Sequence, residues 1–442
     1  MSRPSLNTQI FKAPTRKGLR AGLTLLSTLL LVAVALSNAS AGDWKGQEVT
    51  KDGALHIMNP AKTMEKAGEV RMKELWRLGG FSDDPDEFFG VITRITSDSQ
   101  GNIYLLDAQL SEVKIYSPDG EYLNTIGREG EGPGEFRRPS DMFFLPDGNL
   151  GVMQTIPGKI VQLTVDGDPA GEFPVPQPEG GGFQILQGAQ LAGKNLALVR
   201  MMQEIDQEQQ KVTLHQTLDL VSAEGEVVAT LLHKTPTINF ASAVVTEDMF
   251  DTFERRWTVG EDGRVFAAPD HGNYFVHVWG PDGTLDRIIT REYEHYKRTA
   301  EEKKDAEDIW SVFTRRIPNA DLRISDYDKD IQNIYARDDG SLWVLSSHGS
   351  REHPEGALGI FDVFDKDGRF VRQVTLYGQG DPREDAFFFD GDRLYVVTGF
   401  LNAAMALQGG GAGEEEAESE EEPTPMEVIC YRIDTPVVAK GE

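Results

Sequence analysis

Residues 92–107 read Ile-Thr-Arg-Ile-Thr-Ser-Asp-Ser-Gln-Gly-Asn-Ile-Tyr-Leu-Leu-Asp, and residues 113–123 follow as Val-Lys-Ile-Tyr-Ser-Pro-Asp-Gly-Glu-Tyr-Leu. Both runs place alternating apolar residues on either side of a glycine. Alternation with period two buries one face of a strand, and glycine supplies the positive φ of a tight turn, so each run predicts a β-hairpin. The pair then recurs. Asp147-Gly148-Asn149-Leu150 repeats the first turn and Val165-Asp166-Gly167-Asp168 the second, each 47 residues on. Further copies are Asp262-Gly263-Arg264-Val265 with Pro281-Asp282-Gly283, and Asp339-Gly340-Ser341-Leu342 with Asp367-Gly368-Arg369. A weaker copy carries Gly193 and Gly225, and a partial one runs from Asp390-Gly391-Asp392-Arg393 to Glu427–Ile433 and lacks a fourth strand.

A repeat of four strands at this period is the signature of radial β-architecture, and an array whose ends stay open exposes unpaired edges. Residues 70–78, Val-Arg-Met-Lys-Glu-Leu-Trp-Arg-Leu, alternate as a strand and precede the first full unit. Pairing them with Glu427–Ile433 completes the sixth unit. The expected fold is therefore all-β, a six-bladed β-propeller closed by an N-terminal strand. The expected limits are an N-terminal extension over 42–69, the propeller over 70–436 and a tail over 437–442. Two segments interrupt the repeat. Residues 291–330 form a helical insertion between blades four and five, with the helix over 292–316, and 408–426 form a disordered Gly/Glu-rich loop.

Trp76-x-Leu78-Gly79-Gly80, the Asp-x-x-Gly-Asn-Ile-Tyr and Asp-Gly-x-Leu-Trp-Val hairpins, and Gly127-Arg128-x-Gly130-x-Gly132-Pro133-Gly134-Glu135-Phe136 resemble the bacterial exported six-bladed propellers with NHL-type repeats. The resemblance spans roughly residues 70–433 and departs in the third unit, where Leu196-Ala197-Leu198-Val199 replaces an aromatic-bearing strand. It implies a fold and an export route. The wider superfamily mixes binding scaffolds with lyases and lactonases, so the fold does not select a function.

The first 20 residues hold Arg3, Lys12, Arg16, Lys17, Arg20 and no acid, and an uncharged apolar stretch then ends at Ala39-Ser40-Ala41. That order is a secretory signal over 1–41, cleaved after Ala41, with an uncleaved anchor as the alternative. The expected destination is the periplasm or the exterior, with no membrane anchor after cleavage. The chain has 442 residues with 72 Asp+Glu against 44 Lys+Arg, a formal charge of -28. Such an acid excess disfavours nucleic acid and anionic lipid, whose capture needs basic patches. The single Cys430 permits no intramolecular disulfide.

In a propeller the loops from second to third strands, and from each fourth strand to the next blade, share one face around the channel mouth. The candidate ligand face is drawn from them: Asp107, Arg128, Arg137, His271, His348 and Arg351. His271 and His348 occupy equivalent loops of adjacent blades and are the candidate ligands of a divalent metal, calcium or zinc. Hydrogen bonds to turn backbone are the simpler role for both. Asp83, Asp84, Asp86 and Glu87 read as a solvated acidic loop, with a structural calcium as the alternative. The expected function is a monomeric binding or interaction scaffold that presents its loop face to a protein, peptide or glycan. The alternative is a metal-dependent lyase or lactonase-type hydrolase using His271 and His348.

Overall fold

The computed structural model describes residues 44–178, 183–239, 244–250, 256–314, 317, 320–409, 425–434 and 437–438. The expected signal over 1–41 and residues 410–424 of the Gly/Glu-rich loop lie outside them. Six antiparallel four-stranded units are arranged as a propeller. Blade one is Ile92–Ser97, Ile103–Asp107, Glu112–Tyr116 and Tyr122–Ile126, and blade two is Pro139–Phe144, Leu150–Gln154, Lys159–Leu163 and Pro169–Phe173. Blade three is Gln184–Ala192, Asn195–Asp206, Lys211–Val221 and Val227–Lys234, and blade four is Trp257–Val259, Val265–Ala267, Phe275–Trp279 and Leu285–Arg291. Blade five is Ile331–Ala336, Leu342–Ser346, Ala357–Phe364 and Phe370–Tyr377. Blade six takes Ala386–Asp390, Arg393–Val397 and Glu427–Arg432 from the C-terminal part of the chain and Lys73–Gly79 from the N-terminal part.

The repeated turns explain the repeated sequence. Asp98 Oδ1 accepts from the amides of Gln100 and Asn102 at 2.8 and 2.9 Å, and Gly101 has φ +84°. Only glycine takes that conformation without strain, and the aspartate satisfies amides the turn would otherwise leave open. Each boundary between neighbouring blades carries one apolar cluster, six in all. At the boundary of blades six and one, Leu78, Val428, Cys430 and Tyr395 meet Ile92, Ile103 and Tyr116. Trp76 packs there as well, and its indole N–H donates to the Pro118 carbonyl at 3.1 Å. The last core thus has the same construction as the others, although its two sides come from opposite ends of the chain.

Four sequence expectations are adjusted. The run 70–78 is two strands, because Gly68–Arg71 pairs in parallel with Phe370–Tyr377 of blade five while Lys73–Gly79 joins blade six. The extension over 42–69 is part of the sheets: Gln47–Lys51 and Ala54–Asn59 form a hairpin whose second strand lies parallel to Leu285–Arg291 on the outer edge of blade four. The tail is also paired, Val437–Val438 against Gly68–Glu69. The helix of the insertion is Ala300–Thr314, shorter at its N-terminus than 292–316. Its start is fixed by a capping box, in which the Glu302 amide donates to Thr299 Oγ1 at 3.2 Å and the Thr299 amide to Glu302 Oε2 at 2.8 Å. A helix Phe400–Gly409, which strand alternation does not announce, precedes the Gly/Glu-rich segment.

Candidate functional site

The candidate residues on the loop face fall into three environments. Asp107 is fully buried and spends both oxygens on backbone amides: Oδ2 accepts from Gly90 at 2.7 Å, and Oδ1 from Val91, Gln109 and Leu110 at 3.1, 3.0 and 2.9 Å. It clasps the entry of blade one to its own second-to-third turn, a structural duty performed out of contact with solvent. Arg128 and Arg137 are exposed, Arg128 paired with Glu135 at 2.6 Å and Arg137 with Glu131 at 2.8 Å. The Gly132 amide and Arg128 together hold the Glu135 carboxyl below the usual range.

Arg351 belongs to a buried charge network. Arg298 makes a fork with Glu247, both contacts at 2.7 Å, and reaches Asp328 Oδ1 at 2.8 Å. Arg351 binds the other oxygen of Asp328 through Nε at 3.1 Å and Glu302 of the helix at 3.1 Å. Glu247 and Asp328 are 6% and 3% exposed, so the pairs are screened little by water. The network fastens the helical insertion to blade five and to the connector after blade three. Its members other than Arg351 are absent from the sequence-based site, because ion pairing across 49 or 51 residues leaves no local pattern.

His271 and His348 are drawn toward one residue, Asp330, which opens the inner strand of blade five. The Asp330 amide donates to the His271 carbonyl at 3.0 Å, and its own carbonyl accepts from the Ser347 amide at 3.2 Å. Asp330 is 1% exposed; Oδ1 contacts His295 Nδ1 at 2.8 Å and Oδ2 has no hydrogen-bond partner. Burial pushes the Asp330 carboxyl up, against the pull of His295, His271 and His348. His295 and Asp330 were legible only as an isolated histidine and as the last acid of Asp326-x-Asp328-x-Asp330. The position of Asp330 immediately before Ile331–Ala336 was the signal available. With Asp330 ionised, Nδ1–H of His295 donates to it and Nε2 is left on the half-exposed side of the ring.

Metal ligation fits these residues poorly. Both ring nitrogens of His348 have protein partners, Nδ1 with Glu352 at 2.8 Å and Nε2 with the Glu294 carbonyl at 2.9 Å. Among the described residues no group of three or more His, Cys, Asp or Glu is disposed to hold a metal ion, at the histidines or at Asp83, Asp84, Asp86 and Glu87. No nucleophile is oriented by a base at the dyad of His295 and Asp330 in the contacts described.

A cleft of about 530 Å³ opens beside His271, between the connector that follows blade three and the second-to-third loop of blade four. Lys234, Asp248, Asp270, His271 and Asn273 supply polar groups, and Pro236, Met249 and Pro269 supply apolar ones. The loop wall is held from beneath by Arg256, which is fully buried and donates to the Asp270 carbonyl at 2.7 Å. The Ala268 amide donates to the Arg256 carbonyl at 2.8 Å. A firm wall with donors and acceptors of both signs suits a ligand rich in hydroxyl, amide or mixed charged groups.

A family model described as a 6-bladed beta-propeller, DUF5128, matches residues 85–255. No curated protein matches the chain in sequence. Among solved structures, a protein of Bacteroides fragilis described as a candidate exported protein is 11% identical, with 86% of this chain and 99% of that chain covered and a TM-score of 0.47. A member of the DUF4221 family from Bacteroides vulgatus is 12% identical, with 83% and 99% covered and a TM-score of 0.47. Virginiamycin B lyase from Staphylococcus aureus is 10% identical, with 82% and 99% covered and a TM-score of 0.40. These similarities concern the fold.

Proposed function

We propose that this six-bladed β-propeller is exported and acts as a binding scaffold, its loop face capturing a peptide or glycan segment in the cleft between the blade-three connector and blade four. The observation that carries the reading is that cleft of about 530 Å³, walled by Lys234, Asp248, Asp270, His271 and Asn273 and braced by Arg256. Its size is that of a small-ligand site, and its mixed polar lining matches a neutral or zwitterionic group better than a polyanion. The saturated ring nitrogens of His348 and the backbone-bound Asp107 support binding over turnover, since the groups a reaction would use are engaged in holding the loops. Export rests on the basic start, apolar stretch and Ala39-Ser40-Ala41 end of residues 1–41.

The test is a screen of the mature chain on peptide and glycan arrays, repeated with Asp270→Ala/Asn273→Ala. Ligands retained by the wild type and lost by the double variant support the cleft, whereas ligands that survive the substitution overturn it. Metal analysis of the same material supplies the second arm. A stoichiometric divalent ion that disappears in His271→Ala/His348→Ala replaces the scaffold reading with the metal-dependent lyase or lactonase-type one.

A further inference from the structure

The two most exposed large apolar side chains among the described residues stand on one connector. Phe81 is 84% exposed and Phe88 64%, both on the segment that leads from blade six into blade one. The segment reads Phe81-Ser82-Asp83-Asp84-Pro85-Asp86-Glu87-Phe88, so four carboxylates lie between the two rings. None of these four forms an ion pair among the described residues. Water-exposed phenylalanine gains nothing for the fold, and exposed apolar groups bordered by charge characterise interaction surfaces.

The connector is built to hold its shape. Lys114, 5% exposed in the third strand of blade one, donates to the Pro85 and Asp86 carbonyls at 3.3 and 3.0 Å. The buried Tyr116 hydroxyl donates to the Asp86 carbonyl at 2.5 Å. Asp84 Oδ1 accepts from the Asp86 amide at 2.9 Å, and Asp107 holds the amides of Gly90 and Val91 just beyond. Phe89, 6% exposed, packs into the core between blades six and one, so its neighbour Phe88 is turned to solvent on a fixed base. A surface whose backbone is already ordered loses little conformational entropy when a partner arrives.

We propose that this connector is a docking surface for a cationic amphipathic segment of a partner protein, with Phe81 and Phe88 covered by its apolar residues and Asp83, Asp84, Asp86 and Glu87 facing its Lys or Arg side chains. Charge complementarity selects that occupant. A second copy of this chain, with its formal charge of -28, brings like charge to the surface, and a neutral glycan leaves four carboxylates without a counterpart. The dimensions agree. Seven Cα-to-Cα steps separate the two phenylalanines, which limits their Cα separation to at most about 25 Å, and a helix of about 16 residues spans that length at about 1.5 Å per residue. The proposal shares the loop face with the scaffold reading and does not use the cleft.

The probe is a fluorescently labelled helical peptide of alternating Lys and Leu faces, titrated with the mature chain, beside a Glu/Leu peptide of the same pattern. The wild type is expected to bind the Lys/Leu peptide and not the Glu/Leu peptide. Phe81→Ala/Phe88→Ala is expected to weaken binding by about tenfold or more. Asp83→Asn/Asp86→Asn/Glu87→Gln is expected to weaken it at low salt and to flatten its salt dependence. Phe81, Phe88 and Asp83 are exposed and Asp86 and Glu87 half-buried, and unchanged melting curves of both variants establish that the fold is intact. Equal affinity of wild type and Phe81→Ala/Phe88→Ala overturns the proposal, since attraction would then be diffuse charge. A glycan that loses binding in that variant while the peptide does not overturns it as well. Loss of array ligands in Asp270→Ala/Asn273→Ala with peptide binding retained separates the fate of the cleft from that of this surface.

Discussion

Replacing Asp328 by alanine removes a carboxylate that is 3% exposed and that three basic or polar side chains address at once: Arg298 at 2.8 Å, Arg351 at 3.1 Å through Nε, and Gln332 at 3.0 Å. The variant leaves the Arg298 guanidinium, 6% exposed, with Glu247 as its one carboxylate beside the Ser325 carbonyl, and Arg351, 16% exposed, with Glu302 as its one carboxylate. Breaking one partner out of a buried ion pair costs about 3–5 kcal/mol, because the orphaned charge stays desolvated. That is a large share of the roughly 5–15 kcal/mol that holds an ordinary domain together. Burial alone would raise the Asp328 carboxyl, but Arg351 and Arg298 hold it below its ordinary value. A carboxylate with a lowered folded value contributes stability above its unfolded value, near pH 4, and loses it as pH falls through the folded value. Chemical denaturation at pH 7 should therefore show the full deficit of Asp328→Ala, and the gap to wild type should narrow below about pH 4. Hydrogen exchange should speed up first in the helix Ala300–Thr314, which the network fastens through Glu302. A variant within about 1 kcal/mol of wild type at pH 7, with unchanged exchange in that helix, would refute the reasoning.

Asp107→Ala takes the acceptor from four backbone amides, that of Val91 buried, and should cost about 3 kcal/mol, with Asp107→Asn about half as harmful because one oxygen still accepts. Gly349→Ala would set its Cβ 2.1 Å from the Ile360 carbonyl oxygen and should fold poorly. Gly148→Ala meets nothing within 4 Å but sits at φ +86°, so melting should register only about 1 kcal/mol of backbone strain. Burial pushes the Cys430 thiol up to about 12, so a thiol reagent at pH 8 should label it only after unfolding. Labelling at the denaturation midpoint and not before would confirm it. Deleting residues 73–79 removes the outer strand of blade six together with Leu78, Leu75 and Trp76 from its apolar boundary with blade one, and should abolish cooperative melting at the wild-type temperature.

The propeller was legible because its information is local and repeated. An Asp-Gly turn needs its glycine within the turn, and alternation needs only a strand's own residues, so Gly101, Gly120, Gly148 and Gly167 announce four turns without reference to anything distant. The division of 70–78 was not legible. Both halves alternate acceptably, and what separates them is that Met72 lies between two sheet edges, its amide donating to the Tyr377 carbonyl at 3.2 Å. The same holds for Ala54–Asn59, whose parallel partner Leu285–Arg291 lies more than 200 residues away. At the mouth, residue types were a partial guide. The His271 carbonyl and the Ser347 amide both meet the backbone of Asp330, whose carboxylate contacts His295, and the sequence offered no reason to join these residues.

By itself the sequence determined the repeat, the number of blades, the turn chemistry and the acidic balance, because each depends on neighbours along the chain or on composition. Tertiary structure decided which polar groups are spent and which remain available. Asp107 and Arg351 looked like ligands and are fastenings, whereas Phe88, beside the buried Phe89, is turned outward by a connector that Lys114 and Tyr116 pin from another strand. A side chain's availability is set by what surrounds it in space, and in a closed ring those surroundings come from distant parts of the chain.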